Sequence, residues 1–320
     1  MTRKIQITLL IVLVLLLAIV VIFLEMPERT RFWMELFTAG HTLVFGLSSL
    51  AFLQLSVILL SGRINSRLTH YLVAFIAAAA VGVATEVIQH YVGRDCELAD
   101  FLRDLLGAAA FLCVAMTFDS GLTWDFPSGR TVRMIVRIAA PVLILSIFWP
   151  ALNWGGSYLY RDSRMPILIS YDSPITRKFI RPSNCRLEIT DPPVEWRSQL
   201  DKVVKLTFLP AIYPGVMFRE MSPDWSGYRE MQFGLFSERP DTFALELRIN
   251  DRHHVDRYSD RFNTVLKVTP GFNQVSIPLE KLRAAPQGRE MDLREMGTII
   301  LFASRPTDSF TVYLSELRLK

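Results

Sequence analysis

The sequence predicts an α-helical membrane bundle of about five transmembrane helices, followed by an all-β domain of the jelly-roll or β-sandwich type. Two observations predict this fold class. The chain of 320 residues is 51% hydrophobic, and nearly all of the apolar excess lies before residue 155. Beyond residue 160, short runs of alternating apolar and polar residues are separated by turn residues, which is typical of β-strands. We therefore expect two domains, residues 1–155 and 160–320.

Five apolar segments make up the first domain, and each is long enough to cross a bilayer as a helix. The first segment could instead be a cleaved signal peptide, but its apolar run is too long and no small-residue cleavage site follows it. We expect it to remain as the first helix. The segments are about Ile5–Leu24, Met34–Leu60, Tyr71–Tyr91, Ala99–Phe118 and Met134–Trp154.

The distribution of basic residues predicts the orientation, because cytoplasmic loops carry an excess of Lys and Arg. A cytoplasmic N-terminus would place the more basic connections inside, with Arg3, Lys4, Arg63, Arg67, Arg130 and Arg133. Five spans then place the second domain on the extracytoplasmic side. Much of the formal charge of +4 lies beside these segments, so a nucleic acid partner is not needed to explain it.

The second domain contains ten candidate strands and little helix, with about one helical turn near Leu279–Arg283. Regularly spaced short strands favour a β-sandwich. The candidate strands are Pro166–Tyr171, Arg186–Thr190, Val203–Leu209, Gly215–Arg219, Glu230–Phe236, Thr242–Asn250, Phe262–Val268, Asn273–Pro278, Thr298–Ala303 and Phe310–Leu319.

A polar hairpin between the third and fourth segments is the candidate site of the membrane domain. Glu86 and Gln89 share one helix face, and Asp100 and Asp104 share a face of the next helix. Ionisable groups in membrane helices are costly and tend to mark function. Two close carboxylates need a shared proton or a cation, and Arg94 in the turn is one such cation.

Other interpretations of this hairpin remain open. The same polar groups could join the helices through hydrogen bonds without binding any ligand. A divalent ion held by Glu86, Asp100 and Asp104 is a further alternative, although we predict neither a metal nor a cofactor. His41 is a second candidate, since a lone histidine within a span is also costly.

The first domain resembles the VanZ-like family of small polytopic membrane proteins over about residues 35 to 120. The resemblance rests on His41, on the E-x-x-Q pair Glu86 and Gln89, on Arg94, and on Asp100, Asp104 and Gly107. Two positions depart from the family pattern, which often has Asn at position 104 and Tyr at position 45. The resemblance implies a bacterial inner-membrane protein of the cell envelope, with a link to glycopeptide antibiotic resistance.

The second domain resembles the galactose-binding-like jelly rolls, which include carbohydrate-binding modules and a complex I assembly-factor type. The resemblance covers about residues 165 to 320 and rests on the stretches 224–228, 258–262, 270–279 and 310–319. Trp225, Tyr228, Tyr258 and Tyr313 of this domain could stack on sugar rings, with packing in the core as the alternative for each. Many relatives have a calcium-binding Asp at the position of Ser315, so its absence argues against calcium here.

Three functions are compatible with these features. The first is an envelope protein whose hairpin handles a lipid-linked or cell-wall precursor, while the sandwich binds a glycan or a protein partner. The second is an enzyme that acts on a lipid headgroup, with Glu86 or Asp100 as general acid or base and Arg94 stabilising phosphate charge. The third is a membrane-anchored scaffold or assembly protein. We also consider a disulfide between Cys96 and Cys185 on an oxidising side.

Overall fold

The structure is a computed structural model that describes residues 2–23, 26–27, 30–91, 98–122, 129–196 and 202–320. Within those ranges, the side chains of residues 21–23, 89 and 98–100 are not described. The chain forms two compact units, Met1–Gly155 and Gly156–Lys320. We describe each unit by itself.

The first unit is helical, as the apolar segments predict. Among the described residues, five helices are long and apolar enough to cross a membrane. The fifth begins and ends well beyond the predicted segment and continues through Pro141 and Pro150. The helices are α1 (Arg3–Phe23), α2 (Arg31–Leu60), α3 (Arg67–Tyr91), α4 (Leu98–Phe118) and α5 (Gly129–Ser163).

Helix α2 packs against α1, α3 and α4. Small residues allow its close approach to α4: a methyl group at Gly107 would overlap the carbonyl oxygen of Thr42, and one at Gly46 would overlap the Phe111 ring. The Ser49 hydroxyl contacts the carbonyl oxygen of Ala108 at 3.3 Å. Small residues and interhelical hydrogen bonds are the usual means of association in membrane helices.

Polar pairs connect the helices at the opposite end from the predicted hairpin. Ser56 Oγ and His70 Nδ1 are 2.8 Å apart in a buried contact between α2 and α3. Asp119, just after α4, accepts hydrogen bonds from Arg67 at 2.8 Å and from Tyr71 at 2.9 Å. Burial alone would raise the pKa of Asp119, but these hydrogen bonds hold it below its ordinary value.

The second unit is a β-sandwich of two antiparallel sheets. One sheet has the order β1-β12-β6-β11-β4-β3 with β9 also paired to β6, and the other has the order β2-β5-β10-β7-β8. A short helix, α6 (Leu279–Arg283), follows β9. The strands are β1 (Ile167–Ile169), β2 (Ile180–Ser183), β3 (Cys185–Thr190), β4 (Val203–Phe208), β5 (Gly215–Arg219), β6 (Glu230–Ser237), β7 (Phe243–Asp251), β8 (Phe262–Val268), β9 (Gly271–Pro278), β10 (Met296–Phe302), β11 (Phe310–Leu314) and β12 (Leu317–Leu319).

The two sheets enclose an apolar core, and its largest buried side chains include Trp225, Phe208 and Phe218. The strand β2 was not predicted, because its four residues include Pro182 and show no alternation. The predicted strand Phe310–Leu319 is two strands instead, interrupted at residues 315–316.

Ser315 accounts for this interruption. Its hydroxyl accepts a hydrogen bond from the Gly234 amide at 2.7 Å and donates one to the carbonyl oxygen of Glu316 at 3.0 Å. A side chain thus replaces a backbone acceptor of the sheet. Cys185 carries a buried free thiol, and Cys96, its considered disulfide partner, lies outside the described residues.

Candidate functional site

The strongest candidate site lies on the outer face of the seven-stranded sheet. Side chains of a strand alternate between the two faces of its sheet. In β6, Met231 and Leu235 are fully buried on the core side, so Gln232 and Gly234 lie on the opposite side. That outer face carries the polar and aromatic groups from which we build the site.

Strand pairing brings distant parts of the sequence together on this face. In the antiparallel pair of β6 and β9, Gly234 lies opposite Gln274, and Phe236 lies opposite Phe272. On the other side of β6, Gln232 lies opposite Arg318 of β12. Residues opposite one another in a sheet have neighbouring side chains on the same face. Two amides, a guanidinium group and an aromatic ring therefore surround Gly234.

Trp196 forms one wall of the site. Its ring stacks on Phe236 with a centroid distance of 6.1 Å and contacts Phe272 at 5.5 Å. The Trp196 amide donates a hydrogen bond to the Pro193 carbonyl oxygen at 2.9 Å. This turn positions the tryptophan. Trp196 is only 6% exposed, whereas Phe272 is 49% exposed. Phe272 is therefore the ring that a ligand can reach.

The aromatic wall rests on Tyr313, which contacts Phe236 edge to face at 6.2 Å. The Tyr313 hydroxyl donates to Glu238 Oε1 at 2.9 Å. Burial and this hydrogen bond raise the pKa of Tyr313 to about 12. The hydroxyl thus stays protonated and keeps its bond at ordinary pH.

Gly234 lets two aromatic rings pack closely on β6 because it has no side chain. A methyl group there would lie 2.7 Å from the Phe272 ring and 3.0 Å from the Trp196 ring. The resulting cleft has a volume of about 510 Å³, within the range of small-molecule sites. Its lining combines charged, amide and aromatic groups: Glu195, Trp196, Gln232, Phe233, Gly234, Phe272, Gln274, Ser315, Glu316, Arg318 and Lys320.

The predicted sugar-stacking residues of the sandwich do not line this cleft. Trp225 is 0% exposed, and its indole N–H donates to the Ser222 carbonyl oxygen at 2.8 Å. It is a core residue, so the expectation that its ring faces a ligand is wrong. Tyr228 is half-buried outside the cleft. Tyr258 is 73% exposed in a short turn, with the Arg261 guanidinium 5.2 Å from its ring.

Three predicted residues of the helical unit are described, and all lie in buried or half-buried positions. Glu86 is 8% exposed, and its Oε2 has no hydrogen-bond partner among the described residues. Asp104 is buried on α4, and His41 is half-buried on α2. Arg94 and the side chains of Gln89 and Asp100 lie outside the described residues, so those predictions remain predictions.

Helices α3, α4 and α2 meet at Gly82, near two members of this set. A methyl group at Gly82 on α3 would lie 3.3 Å from the Phe101 ring on α4 and 3.6 Å from the Phe45 ring on α2. Glu86 follows Gly82 by four residues, and Asp104 follows Phe101 by three. Each carboxylate therefore lies one helical turn from a contact between α3 and α4.

A metal site is not evident in the described part of the chain. No group of three or more His, Cys, Asp or Glu residues there could hold a metal ion. Ser315 lies at the position where the sequence resemblance placed a calcium ligand in many relatives. Its hydroxyl forms the sheet hydrogen bonds described above.

Sequence reasoning missed the cleft residues Gln232, Phe272, Gln274 and Arg318. They lie on three strands that are far apart in the sequence, and each is one polar or aromatic residue in an alternating strand. A usable signal was the Gly234 position, since a glycine inside a strand often marks a close approach of another group.

Comparisons with known proteins give distant structural likenesses. No protein-family model matches the sequence, and no curated protein matches it significantly. An exo-β-agarase structure has a TM-score of 0.39 and 15% identity, covering 48% of this chain and 25% of that one. This chain thus spans about a quarter of that agarase.

Two smaller proteins are covered almost completely. A family 11 carbohydrate-binding module from Clostridium thermocellum, in complex with a β-1,3-1,4-mixed-linked tetrasaccharide, has a TM-score of 0.37 and 11% identity over 48% of this chain and 93% of that one. A carbohydrate-binding module specific for non-crystalline cellulose has a TM-score of 0.34 and 14% identity over 49% and 94%. Likenesses at this level identify no ligand.

Proposed function

We propose that this chain is a membrane-anchored glycan-binding protein of the bacterial cell envelope. The observation that carries the proposal is the cleft on the outer face of the seven-stranded sheet. It offers the half-exposed ring of Phe272 beside the amides of Gln232 and Gln274. An apolar surface with a few placed hydrogen-bonding groups is what a small-molecule site requires, and a sugar ring presents both apolar and hydroxyl surfaces.

The membrane location is part of the proposal. Five helices have the length and composition of membrane spans, and the basic connections favour a cytoplasmic N-terminus with the sandwich outside. Reporter fusions after residues 66, 128 and 160 test this orientation. We expect cytoplasmic signals at the first two positions and an extracytoplasmic signal at the third. A cytoplasmic signal at residue 160 would refute the topology.

A binding measurement on the full chain in nanodiscs tests the glycan proposal. The full chain is titrated with a panel of soluble polysaccharides, and the best ligand is titrated against Phe272→Ala. Loss of one aromatic stacking contact of about 1 kcal/mol predicts an affinity about fivefold lower. Tyr258→Ala is the matched control, because this tyrosine is more exposed but lies outside the cleft. A larger loss for Tyr258→Ala would move the site to the turn containing that residue.

A polar ligand in the helical unit, such as the headgroup of a lipid-linked precursor, is a second candidate function. The buried Oε2 of Glu86, without a hydrogen-bond partner among the described residues, favours it, because a buried polar atom normally has a partner. A VanZ-like role would be of this kind, and acid–base catalysis by the same carboxylate is its enzymatic form. A purely scaffolding role requires neither ligand.

Lipid and wall-precursor profiles distinguish these roles. Three strains are compared: wild type, a deletion, and the deletion carrying Glu86→Gln at matched protein level. A lipid-linked species that shifts in both altered strains would support the second candidate. Full restoration of the profile by Glu86→Gln would exclude a role for the charge of this carboxylate.

A further inference from the structure

We infer that the cleft of the sandwich binds a neutral, hydroxyl-rich glycan chain and discriminates against anionic glycans. This inference rests on the proposed glycan-binding function and deepens it. It comes from two observations: which hydrogen-bonding groups of the cleft remain available to a ligand, and how the charges of the lining balance.

The two glutamine amides use their N–H groups within the protein. Gln232 Nε2 donates to Glu230 Oε1 at 2.6 Å. Gln274 Nε2 donates to the carbonyl oxygen of Phe233 at 3.3 Å and to that of Val275 at 3.4 Å. These bonds use both N–H groups of Gln274 and one of the two N–H groups of Gln232, and they leave both amide oxygens available. Both glutamines therefore present acceptors to a ligand.

The Ser315 hydroxyl, which also lines the cleft, forms its hydrogen bonds within the protein as well. Ser315 accepts from the Gly234 amide and donates to the Glu316 carbonyl oxygen, so its one proton is used inside the sheet. Available acceptors thus outnumber available donors along the β6 and β9 side of the cleft. Sugar hydroxyls supply the missing donors, whereas a carboxylate or sulfate group supplies none.

The charges of the lining give an anion no net attraction. Two carboxylates, Glu195 and Glu316, accompany two cations, Arg318 and Lys320. Arg318 forms an ion pair with Glu316, so much of its charge is already compensated. The charge of Lys320 is balanced in the lining by that of Glu195, so an anionic ligand would lose hydration without entering a net positive site.

The arrangement of the acceptors suits a chain of sugars rather than a single one. Gln232 lies opposite Ser276, two residues from Gln274 on β9. Such diagonal neighbours are roughly 7–8 Å apart. Phe272 continues the row on the same face of β9, and its ring packs over Gly234 beside the two amides. One extended ligand can therefore contact the ring and both amides.

Matched pairs of polysaccharides test this inference on the full chain in nanodiscs. Hydroxyethyl cellulose is compared with carboxymethyl cellulose, dextran with carboxymethyl dextran, and polygalacturonate is added as a polyanion. We expect the neutral member of at least one pair to bind at least tenfold more tightly than its charged partner. Equal or tighter binding of the charged members would overturn the inference while leaving the proposed function intact. Absence of binding to every polysaccharide would overturn the proposed function itself.

Two sets of variants test whether the glutamines and Glu195 of the cleft produce the preference for neutral glycans. Gln232→Ala and Gln274→Ala should each weaken binding of the neutral ligand several-fold, whereas the exposed Gln287→Ala, outside the cleft, should leave it unchanged. Glu195→Lys should strengthen binding of the carboxymethyl ligand several-fold. The difference in affinity between the neutral and charged members of a pair should therefore become smaller. Unchanged discrimination in Glu195→Lys, or unchanged affinity in both glutamine variants, would contradict the inference.

Discussion

Arg289 connects two separate parts of the sandwich, and its removal should destabilise that unit strongly. Its guanidinium group donates two hydrogen bonds to Asp251, at 2.5 and 2.8 Å, and one to Asp260 at 2.6 Å. The Asp251 side chain is 0% exposed. Arg289→Met keeps much of the apolar stem but leaves this buried carboxylate with a backbone donor, the Asp292 amide at 2.9 Å.

The size of the effect follows from the burial of the two partners. Removing one partner of a buried ion pair costs about 3–5 kcal/mol, because the other charge remains buried and uncompensated. The Arg289 side chain is itself 29% exposed, so water can reach the carboxylate in the variant. We therefore expect the lower end, about 3 kcal/mol, which is more than a hundredfold in the unfolding equilibrium.

Pulse labelling of Cys185 measures the stability of the sandwich without a contribution from the helices. This thiol is buried, so it reacts when the sandwich opens, and mass spectrometry resolves its peptide from those of the other cysteines. We expect Arg289→Met to raise the labelling rate more than a hundredfold in the full chain.

A matched exposed arginine provides the control for this measurement. Arg283 pairs with Glu280 at 3.3 Å with both side chains largely exposed, so Arg283→Met should change stability by less than about 0.5 kcal/mol. A rise of less than fivefold in the labelling of Arg289→Met would show that the buried pair does not stabilise the sandwich as described.

Two further perturbations have directions that follow from the structure. Gly107→Ala should disrupt the α2–α4 contact, because the added methyl group would overlap the backbone of Thr42. Limited proteolysis in nanodiscs should therefore cleave this variant faster than the control Gly40→Ala, whose added methyl group meets nothing within 4 Å. Equal cleavage rates for the two variants would contradict the packing. The hydrogen bond from Arg289 lowers the pKa of Asp260 from an ordinary 3.8 to about 2. As pH falls, Asp260 is therefore protonated in the unfolded state before it is protonated in the folded state. The sandwich should accordingly lose stability as pH falls from about 4 toward 2. Cys185 labelling with an acid-active disulfide reagent, divided at each pH by the rate for a free thiol, checks the sign, and a flat normalised profile would refute it.

The helices and most strands could be predicted from sequence because their signals are local. A run of apolar residues or an alternating pattern is visible within ten to twenty residues. The ends were less predictable: α5 extends to Ser163 because the helix continues past the apolar segment into polar residues. The interruption between β11 and β12 depends on hydrogen bonds between Ser315 and Gly234, which no local pattern reveals.

The cleft could not be predicted because it depends on pairing between distant strands. Gln232 and Gln274 become neighbours through the register of β6 with β9, and Trp196 joins them from a separate loop. Trp225 illustrates the opposite error: a tryptophan among Gly, Ser and Pro residues suggested an exposed turn, yet its indole N–H finds a backbone acceptor and the ring fills the core.

Hydroxyl-radical footprinting of the full chain, with and without the best-binding glucan, tests the central claim of a glycan-binding cleft most directly. Phe272 is half-exposed in the cleft, and Tyr258, more exposed, lies outside it. The ratio of their modification rates cancels the scavenging of radicals by the sugar. We predict that the glucan lowers this ratio several-fold at saturating concentration. An unchanged ratio, or selective protection of Tyr258, would contradict a glycan site on the outer face of the seven-stranded sheet.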